Sequence, residues 1–134
     1  MESVETSLRE FHRAYGLVIN EEPVDFDYST HERLAPLWML RKNLCEEEWQ
    51  EFIYALRSDS LVNLADAICD LVYVLVGTAV SFGIPFDHCF TEVHRSNMSK
   101  LGADGKPVVR ESDGKILKGE NYSPPDLKRV IYGE

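Results

Sequence analysis

The chain has 134 residues and a mass of 15.3 kDa, which is the usual size of one domain and argues against a two-domain enzyme. With 44% hydrophobic and 28% charged residues it has the composition of a soluble globule, and this excludes a disordered or fibrous chain. The net charge of −9 disfavours a partner held through nucleic-acid phosphates or anionic lipid.

The chain also lacks the marks of an exported or membrane protein. Cys45, Cys69 and Cys89 are far apart and form no C-x-x-C pair, so neither a disulfide framework nor a zinc knuckle is expected. The acidic start does not resemble a signal peptide, and the longest apolar stretch, Leu71 to Gly77, is far shorter than the about 20 residues of a membrane span. We therefore expect a soluble, cytoplasmic protein without a membrane partner.

The spacing of apolar residues predicts four main helices, at about 4–15, 31–57, 61–82 and 86–100. Pro36 either kinks the second helix or lies near its true start. A small β-hairpin is predicted near 106–118, with its turn at Asp113-Gly114. The predicted fold class is an all-α four-helix bundle with this hairpin near the C-terminus. It forms a single domain over residues 1–134, with a helical body at 1–101 and the hairpin and tail at 102–134.

The predicted helix 61–82 is apolar on nearly all sides, because 16 of its 22 residues are apolar. A single layer of four helices cannot easily cover such a helix. We therefore expect a homodimer or homotetramer, in which helices of a neighbouring copy cover the open face.

The second helix carries an E-E-x-x-E motif formed by Glu47, Glu48 and Glu51. Glu48 lies four residues after Leu44 and four before Phe52, so an acid occupies the helix face that should be buried. Taken alone, such a triplet is more often a solvated acidic face than a binding site.

The third helix changes that interpretation, because its only charged residues are Asp66 and Asp70, one turn apart. Burying carboxylates costs several kcal/mol each unless they are paired or bound to a metal. In one alternative they pair with an arginine of another helix, such as Arg41 or Arg57. In the stronger one they face the glutamates of E-E-x-x-E, and a divalent cation compensates the repulsion. Oxygen-only ligands favour Mg²⁺, with Mn²⁺ also suitable, and these ions most often accompany phosphate substrates.

The fourth helix ends with Arg95, Asn97 and Lys100. Cations at a helix C-terminus usually do no more than interact with the helix dipole. Beside a cluster of metal-binding carboxylates, however, these three residues become candidates for binding the phosphate groups of a substrate.

The sequence resembles the all-α NTP pyrophosphatases, the MazG-like and phosphoribosyl-ATP pyrophosphohydrolase-like superfamily, in its phage and bacterial branch. The segments that carry the resemblance cover most of the chain. Besides the E-E-x-x-E helix, they are Phe11–Gly16 (F-H-R-A-Y-G), Asp70–Ala79 (D-L-V-Y-V-L-V-G-T-A), Phe82–Pro85 (F-G-I-P) and Glu92–Lys100 (E-V-H-R-S-N-M-S-K).

This resemblance implies a MazG-like four-helix bundle and a magnesium-dependent hydrolase. The expected reaction cleaves a nucleoside triphosphate between its α- and β-phosphates and gives the monophosphate and pyrophosphate. By position, the metal ligands would be Glu47, Glu48, Glu51 and Asp70. Asn97 and Lys100 would correspond to the end of the fourth helix that contacts the substrate.

One position departs from the family pattern, whose second acidic motif is E-x-x-D. If Asp70 is the aspartate of that motif, Ala67 occupies the glutamate position and Asp66 serves from one residue earlier. If Asp66 is that aspartate, Asn63 occupies the glutamate position and supplies a carbonyl oxygen without a charge. In either case one carboxylate is displaced or lost.

Little covalent chemistry is needed for this reaction, because a metal ion and one general base suffice for in-line attack of water on phosphorus. We expect Glu47 or Glu48 to be the base. Three alternatives stay open on the sequence alone: a nucleotide-binding pseudoenzyme, a structural helical oligomer without turnover, and a phosphoribosyl-ATP pyrophosphohydrolase.

Overall fold

The computed structural model describes residues 2–24 and 28–134, and the side chains of residues 28–31 lie outside the described part. Within these residues the chain forms five helices and one antiparallel two-stranded hairpin, which confirms the predicted all-α fold with a hairpin near the C-terminus. The elements are α1 (Val4–Tyr15), α2 (Tyr28–Ala55), α3 (Leu61–Ser81), α4 (Phe86–Met98), β1 (Val108–Val109), β2 (Ile116–Leu117) and α5 (Leu127–Tyr132).

The helix bounds agree with the sequence pattern at α1 and depart from it at α2. This helix begins three residues before the predicted start and continues through Pro36. A short helix, α5, lies in the C-terminal tail, for which no helix was predicted. Its start is stabilised by Asp126, whose side chain accepts a hydrogen bond from the backbone N–H of Arg129, and it ends at Gly133 with a φ of 74°.

The described residues form two compact units, Met1–Phe86 and Asp87–Glu134. The first contains α1, α2 and α3, and the second contains nearly all of α4, the hairpin and α5. The prediction of one domain over the whole chain stays a prediction.

The core of the first unit lies between α1 and α3. Leu8 of α1 packs with Val76 and Val80 of α3, each with at most 1% of its surface exposed, and Ile19 and Phe86 cover this cluster. The apolar residues of α1 lie on one face of the helix and therefore fix which side of it meets α3.

The connection between α1 and α2 is held against the end of α3 by main-chain hydrogen bonds. The amide of Asn20 donates to the carbonyl of Val80 at 3.2 Å, and that of Val24 donates to the carbonyl of Phe82 at 3.0 Å. The side chains of Asn20 and Ser81 add two further bonds, at 2.6 and 2.9 Å. The segment up to Val24 is therefore an ordered part of the first unit.

The α2 and α3 helices form an antiparallel hairpin that carries the candidate site. Arg41 lies midway along α2 and contacts Val74 and Thr78 in the second half of α3. Glu48, two turns later in α2, meets Asp70, which lies earlier in α3. This order of contacts fixes the antiparallel register.

A stripe of apolar side chains on α3 is exposed in the single chain, and it consists of Ile68, Val72, Tyr73 and Leu75 with 38–51% of their surfaces exposed. By length and composition alone α3 could cross a membrane, with a mean hydropathy of 1.7, and a third of that span is buried in the protein. Core helices of soluble proteins pass the same test. The helix also carries Asp66 and Asp70, whose charges would be costly in lipid.

The second unit is organised around Glu92 of α4, whose surface is 7% exposed. Its carboxylate accepts two hydrogen bonds from Arg95, at 2.8 and 2.9 Å, and one from the amide of Asp126 at 3.0 Å. The hydrogen bonds with Arg95 and with the Asp126 amide lower the pKa of Glu92 to about 2. Glu92 thereby connects α4 to the chain that leads into α5.

The hairpin pairs Val108 with Leu117 and Val109 with Ile116. Its turn occurs at the predicted place, since Gly114 has a φ of 75° and the Asp113 carboxylate accepts a hydrogen bond from the amide of Lys115. The Asp-Gly pair therefore correctly predicted the turn.

Candidate metal centre

Three carboxylates of α2 and α3 converge in the first unit. One oxygen each from Glu48, Glu51 and Asp70 lie within 4.8 Å of one another. Glu48 and Glu51 are three residues apart, so they share one face of α2, and Asp70 meets that face from α3. The structure thus brings together three of the five acids that the sequence predicts to bind a metal.

The proximity of these acids disfavours full ionisation. The pKa of Glu48 is raised to about 7, first by burial and then by the hydrogen bond with Glu51 and the negative charges of Glu51, Asp70 and Glu47. The pKa of Asp70 is also raised, by burial first and then by the charges of Asp66 and Glu51. Without a compensating cation the cluster therefore holds a proton at neutral pH.

The donor set fits a hard divalent cation. Glu48 Oε2 is buried and has no hydrogen-bond partner among the described residues, although a buried carboxylate oxygen normally has one. A cation would satisfy this oxygen and reduce the repulsion between the acids. Ligand oxygens about 2.1 Å from Mg²⁺ lie about 3 Å apart when they are adjacent, so small side-chain movements would close the cluster on the ion.

The raised pKa of Glu48 has a consequence for the stability of the metal-free protein. Between about 4.5 and 7 the native cluster keeps a proton that the unfolded chain has released, so the free energy of unfolding falls as the pH rises. We expect Glu48→Gln to remove this fall. In EDTA, the gain in Tm of the variant over wild type should be larger at pH 7.5 than at pH 5.

The comparison with the variant is necessary because the titration of His12 changes the free energy of unfolding with pH in the opposite direction to that of Glu48. Burial lowers the pKa of His12 below 6.5, so the unfolded chain takes up this proton first and stability falls as the pH decreases. Wild type and Glu48→Gln both contain His12, so the difference between their profiles of Tm against pH reports the contribution of the carboxylate cluster alone. Parallel profiles would contradict the coupling of the three acids.

The structure does not support the alternative in which these acids pair with arginines. Arg41 donates to the hydroxyl of Thr78 at 3.1 Å and to the carbonyl of Val74 at 2.7 Å, rather than to a carboxylate. Arg57 is exposed and forms no ion pair with any described residue. Within the described part of the first unit, no positive side chain therefore pairs with these acids.

The other two predicted ligands lie beside the cluster and not within it. Glu47 is exposed on α2, and its charge acts on Glu48. Asp66 is exposed one turn before Asp70, and its charge raises the pKa of that residue. The cluster therefore favours the alignment in which Asp70 is the aspartate of the second acidic motif. Ala67, which is 6% exposed, then occupies the glutamate position.

A cavity of about 450 Å³ opens next to the cluster, between the end of α2 and the start of α3. Glu51 and Asp66 line it, so it joins the carboxylates to a concave surface of mixed polarity. The other lining residues are Gln50, Tyr54, Ala55, Ser58, Asn63 and Ala67. The sequence does not predict this cavity, because its shape depends on how α2 and α3 pack against each other and no sequence motif specifies that packing.

The substrate-binding residues predicted at the end of α4 belong to the second unit. The Arg95 guanidinium is bound to Glu92 and also donates to the carbonyl of Pro124 at 3.2 Å. Asn97 is exposed and Lys100 is half-buried, and neither side chain has a partner among the described residues. Asn97 and Lys100 are thus the two whose side-chain donors are all free among the described residues.

Comparison with known proteins decides the family. The phosphoribosyl-ATP pyrophosphohydrolase family matches residues 8–97, which include most of α1, both acidic motifs and most of α4. The chain belongs to this family. As a phosphoribosyl-ATP pyrophosphohydrolase family member, it is related to hydrolases that act on phosphoric anhydrides of nucleotides.

Two individual proteins are also similar to this family member. Uncharacterized protein L479 of Acanthamoeba polyphaga mimivirus is 32% identical over 124 residues, or 91% of this chain. The chain spans 45% of that relative. A solved structure from Exiguobacterium sp. 255-15, named as a candidate NTP pyrophosphohydrolase, is 22% identical with a TM-score of 0.49, and the match covers 97% of this chain and 94% of that one.

Proposed function

We propose that the protein hydrolyses nucleoside triphosphates between the α- and β-phosphates and releases a nucleoside monophosphate and pyrophosphate. The observation that carries this proposal is the convergence of Glu48, Glu51 and Asp70, with one buried carboxylate oxygen that has no partner among the described residues. Membership in the phosphoribosyl-ATP pyrophosphohydrolase family supports the same bond cleavage.

In this proposal Glu48, Glu51 and Asp70 hold Mg²⁺, for which Mn²⁺ can substitute. When bound, the ion neutralises phosphate charge and lowers the pKa of water. Asp66 is one turn away on α3 and can contribute a further carboxylate from the adjoining cavity wall. The structure offers only oxygen ligands in this cluster, which favours these ions over zinc.

The general base is then a carboxylate that the ion does not use fully. Glu47 supports this role best, because it is exposed and acts electrostatically on Glu48 without belonging to the three converging acids. Glu48 is the alternative, since a pKa near 7 suits proton transfer at neutral pH. In either case the carboxylate accepts a proton from the attacking water while phosphorus is attacked in line.

A coupled assay tests the proposal directly. Inorganic pyrophosphatase converts released pyrophosphate to phosphate, which is measured over a panel of NTPs and dNTPs with and without Mg²⁺. Phosphoribosyl-ATP belongs in the panel because the matching family bears its name. Phosphate release that requires both Mg²⁺ and the coupling enzyme supports the proposal. Nucleotide binding without release would instead identify a pseudoenzyme, and neither binding nor release would favour a structural oligomer.

Lys100 and Asn97 are proposed to contact substrate phosphates, with Arg95 supporting them from its ion pair with Glu92. We expect Lys100→Ala to lower kcat/KM by about 10- to 150-fold, which corresponds to the loss of one charge-assisted contact of about 1.5–3 kcal/mol. Lys106→Ala in the same unit is the control, since Lys106 is exposed. Equal kinetics of both variants would remove the phosphate-binding role of Lys100.

The exposed apolar stripe on α3 supports a homodimer or homotetramer, in which a second copy covers this face. We propose a cytoplasmic location, because Cys45, Cys69 and Cys89 are all free thiols. The net charge of −9 supports a nucleotide partner held through metal ions rather than a nucleic acid or a membrane held through a basic surface.

A further inference from the structure

A buried guanidinium lies outside the carboxylate cluster, and no described residue balances its charge. Arg41 is 5% exposed, and its two hydrogen bonds go to the hydroxyl of Thr78 and the carbonyl of Val74, which are both neutral. Among the described residues no carboxylate pairs with it. Burying a charge without a counter-charge is costly, so this arrangement needs a reason other than stability.

Among the described residues, the groups around Arg41 add no net negative charge. Burial lowers the pKa of Arg41, and its charge in turn helps to keep the pKa of nearby His12 low, so that histidine stays neutral. Lys42, the next residue, is 42% exposed, and its ammonium lies 3.1 Å from Glu46 Oε1. With Glu46 balancing Lys42, the net local charge is that of the guanidinium.

Arg41 also lines a cavity of about 360 Å³ that is distinct from the one beside Glu51 and Asp66. Lys42 contributes to the wall, and the rest of it is largely apolar, formed by Trp38, Cys45, Thr78, Phe82 and Ile84. Arg41 uses two of its five N–H donors in the bonds described above, so three remain. Apolar walls lower the local dielectric and strengthen the attraction between these donors and an anion.

The cavity lies in the same helix pair as the carboxylate cluster. Arg41 and Glu48 are seven residues apart, which is two turns on the same face of α2 and about 10.5 Å along its axis. On α3, Val74 follows Asp70 by one turn. The carboxylate cluster and the Arg41 guanidinium are therefore neighbours along the α2–α3 helix pair.

We propose that the Arg41–Lys42 cavity is an anion site that binds a phosphoryl oxyanion. Two sources share this chemistry: the terminal phosphates of the nucleotide, which leave as pyrophosphate, and free inorganic phosphate. The first source rests on the proposed function, whereas the anion site itself stands on the buried charge, the free donors and the cavity.

Trp38 provides a direct readout, because it lines the cavity and the chain has only one other tryptophan, Trp49. In the Trp49→Phe variant, with EDTA present, we expect pyrophosphate to change the fluorescence of Trp38 in a saturable way. Phosphate tests the second source in the same assay. If pyrophosphate binds more tightly than phosphate, the site binds the terminal phosphates of the nucleotide. If the two anions bind equally, the site binds free phosphate. Either result supports an anion site.

Substitutions in the same background locate the bound anion. Arg41→Gln should weaken binding by about 10- to 150-fold, and Arg41→Lys should weaken it less because it keeps the charge. Lys42→Gln, at a half-exposed position that tolerates the change, should weaken it about threefold. Arg57→Gln removes one exposed positive charge just beyond the end of α2 and should leave binding unchanged. Melting curves confirm that each variant is folded.

The outcomes separate this inference from the proposed function. If neither anion changes Trp38 fluorescence, or if Lys42→Gln and Arg57→Gln behave alike, the anion site is wrong even when magnesium-dependent hydrolysis is present. If pyrophosphate binds and both cavity variants weaken it while no nucleotide is hydrolysed, the anion site holds and the proposed activity fails.

Discussion

Replacing Glu48 by glutamine should lower metal-dependent hydrolysis by at least about 10²–10³-fold, the scale of losing one preorganised electrostatic group at a reaction centre. Glu48 is the member of the cluster with the buried, unpartnered oxygen. The substitution removes one of the three converging carboxylates, and an amide of the same shape fills its space. The measurement is kcat/KM in the coupled assay at saturating Mg²⁺.

The same substitution should not weaken the fold. An amide removes one charge from a group of acids that repel one another, so Tm in EDTA should equal or exceed that of wild type, as is typical of sites that trade stability for function. Glu32→Gln is the matched control, since Glu32 is an exposed glutamate of the same helix. A marked loss of stability in Glu48→Gln, with no stabilisation of wild type by divalent cations, would show that the acids have a structural role.

The largest loss of stability is expected from Gly83→Ala, by about 2–5 kcal/mol. Gly83 has a φ of 71°, which L side chains rarely adopt. A Cβ at this position would also overlap the carbonyl oxygen of Glu22 and lie 2.6 Å from its carbonyl carbon. Because both obstacles are backbone atoms, the connection before α2 would have to move away from the end of α3.

Gly16→Ala separates the two contributions to this loss. Gly16 has a φ of 67° in the same unit, but a Cβ there would have no atom within 4 Å. It should therefore cost only the conformational part, about 1–2 kcal/mol. Urea denaturation of both variants measures the difference. Equal losses would mean that the contact between Gly83 and Glu22 contributes nothing.

Local sequence patterns correctly predicted the elements that depend only on a short stretch of the chain. The apolar spacing between Leu8 and Tyr15, closed by Gly16, defined α1, and the Asp113-Gly114 pair defined the hairpin turn. The family resemblance rested on equally local motifs. The start of α2 was less accessible, because Pro36 suggested a helix boundary and the helix instead passes through it.

The candidate site was predictable in its composition and not in its geometry. The helical spacing of apolar residues and the positions of the acids predicted carboxylates on two facing helices. However, Glu47 and Glu48 are adjacent in sequence, and only the packing of α2 on α3 decides which of them meets Asp70. Arg41 shows the same limit. As an arginine of another helix it was a candidate ion-pair partner for Asp66 and Asp70, and its actual acceptors, Val74 and Thr78, depend on the register of the hairpin.

The hydrogen bonds of Glu92 also bear on the order in which the chain becomes structured during synthesis. Translation delivers α1, α2 and α3 first, and their contacts with one another are complete within Met1–Phe86. Glu92 emerges soon afterwards, yet one of its donors, the amide of Asp126, is 34 residues further along. Until that residue has left the ribosome, Glu92 must rely on Arg95 or on water. The first unit can thus be fully formed before the second unit has gained the hydrogen bond between the Asp126 amide and Glu92.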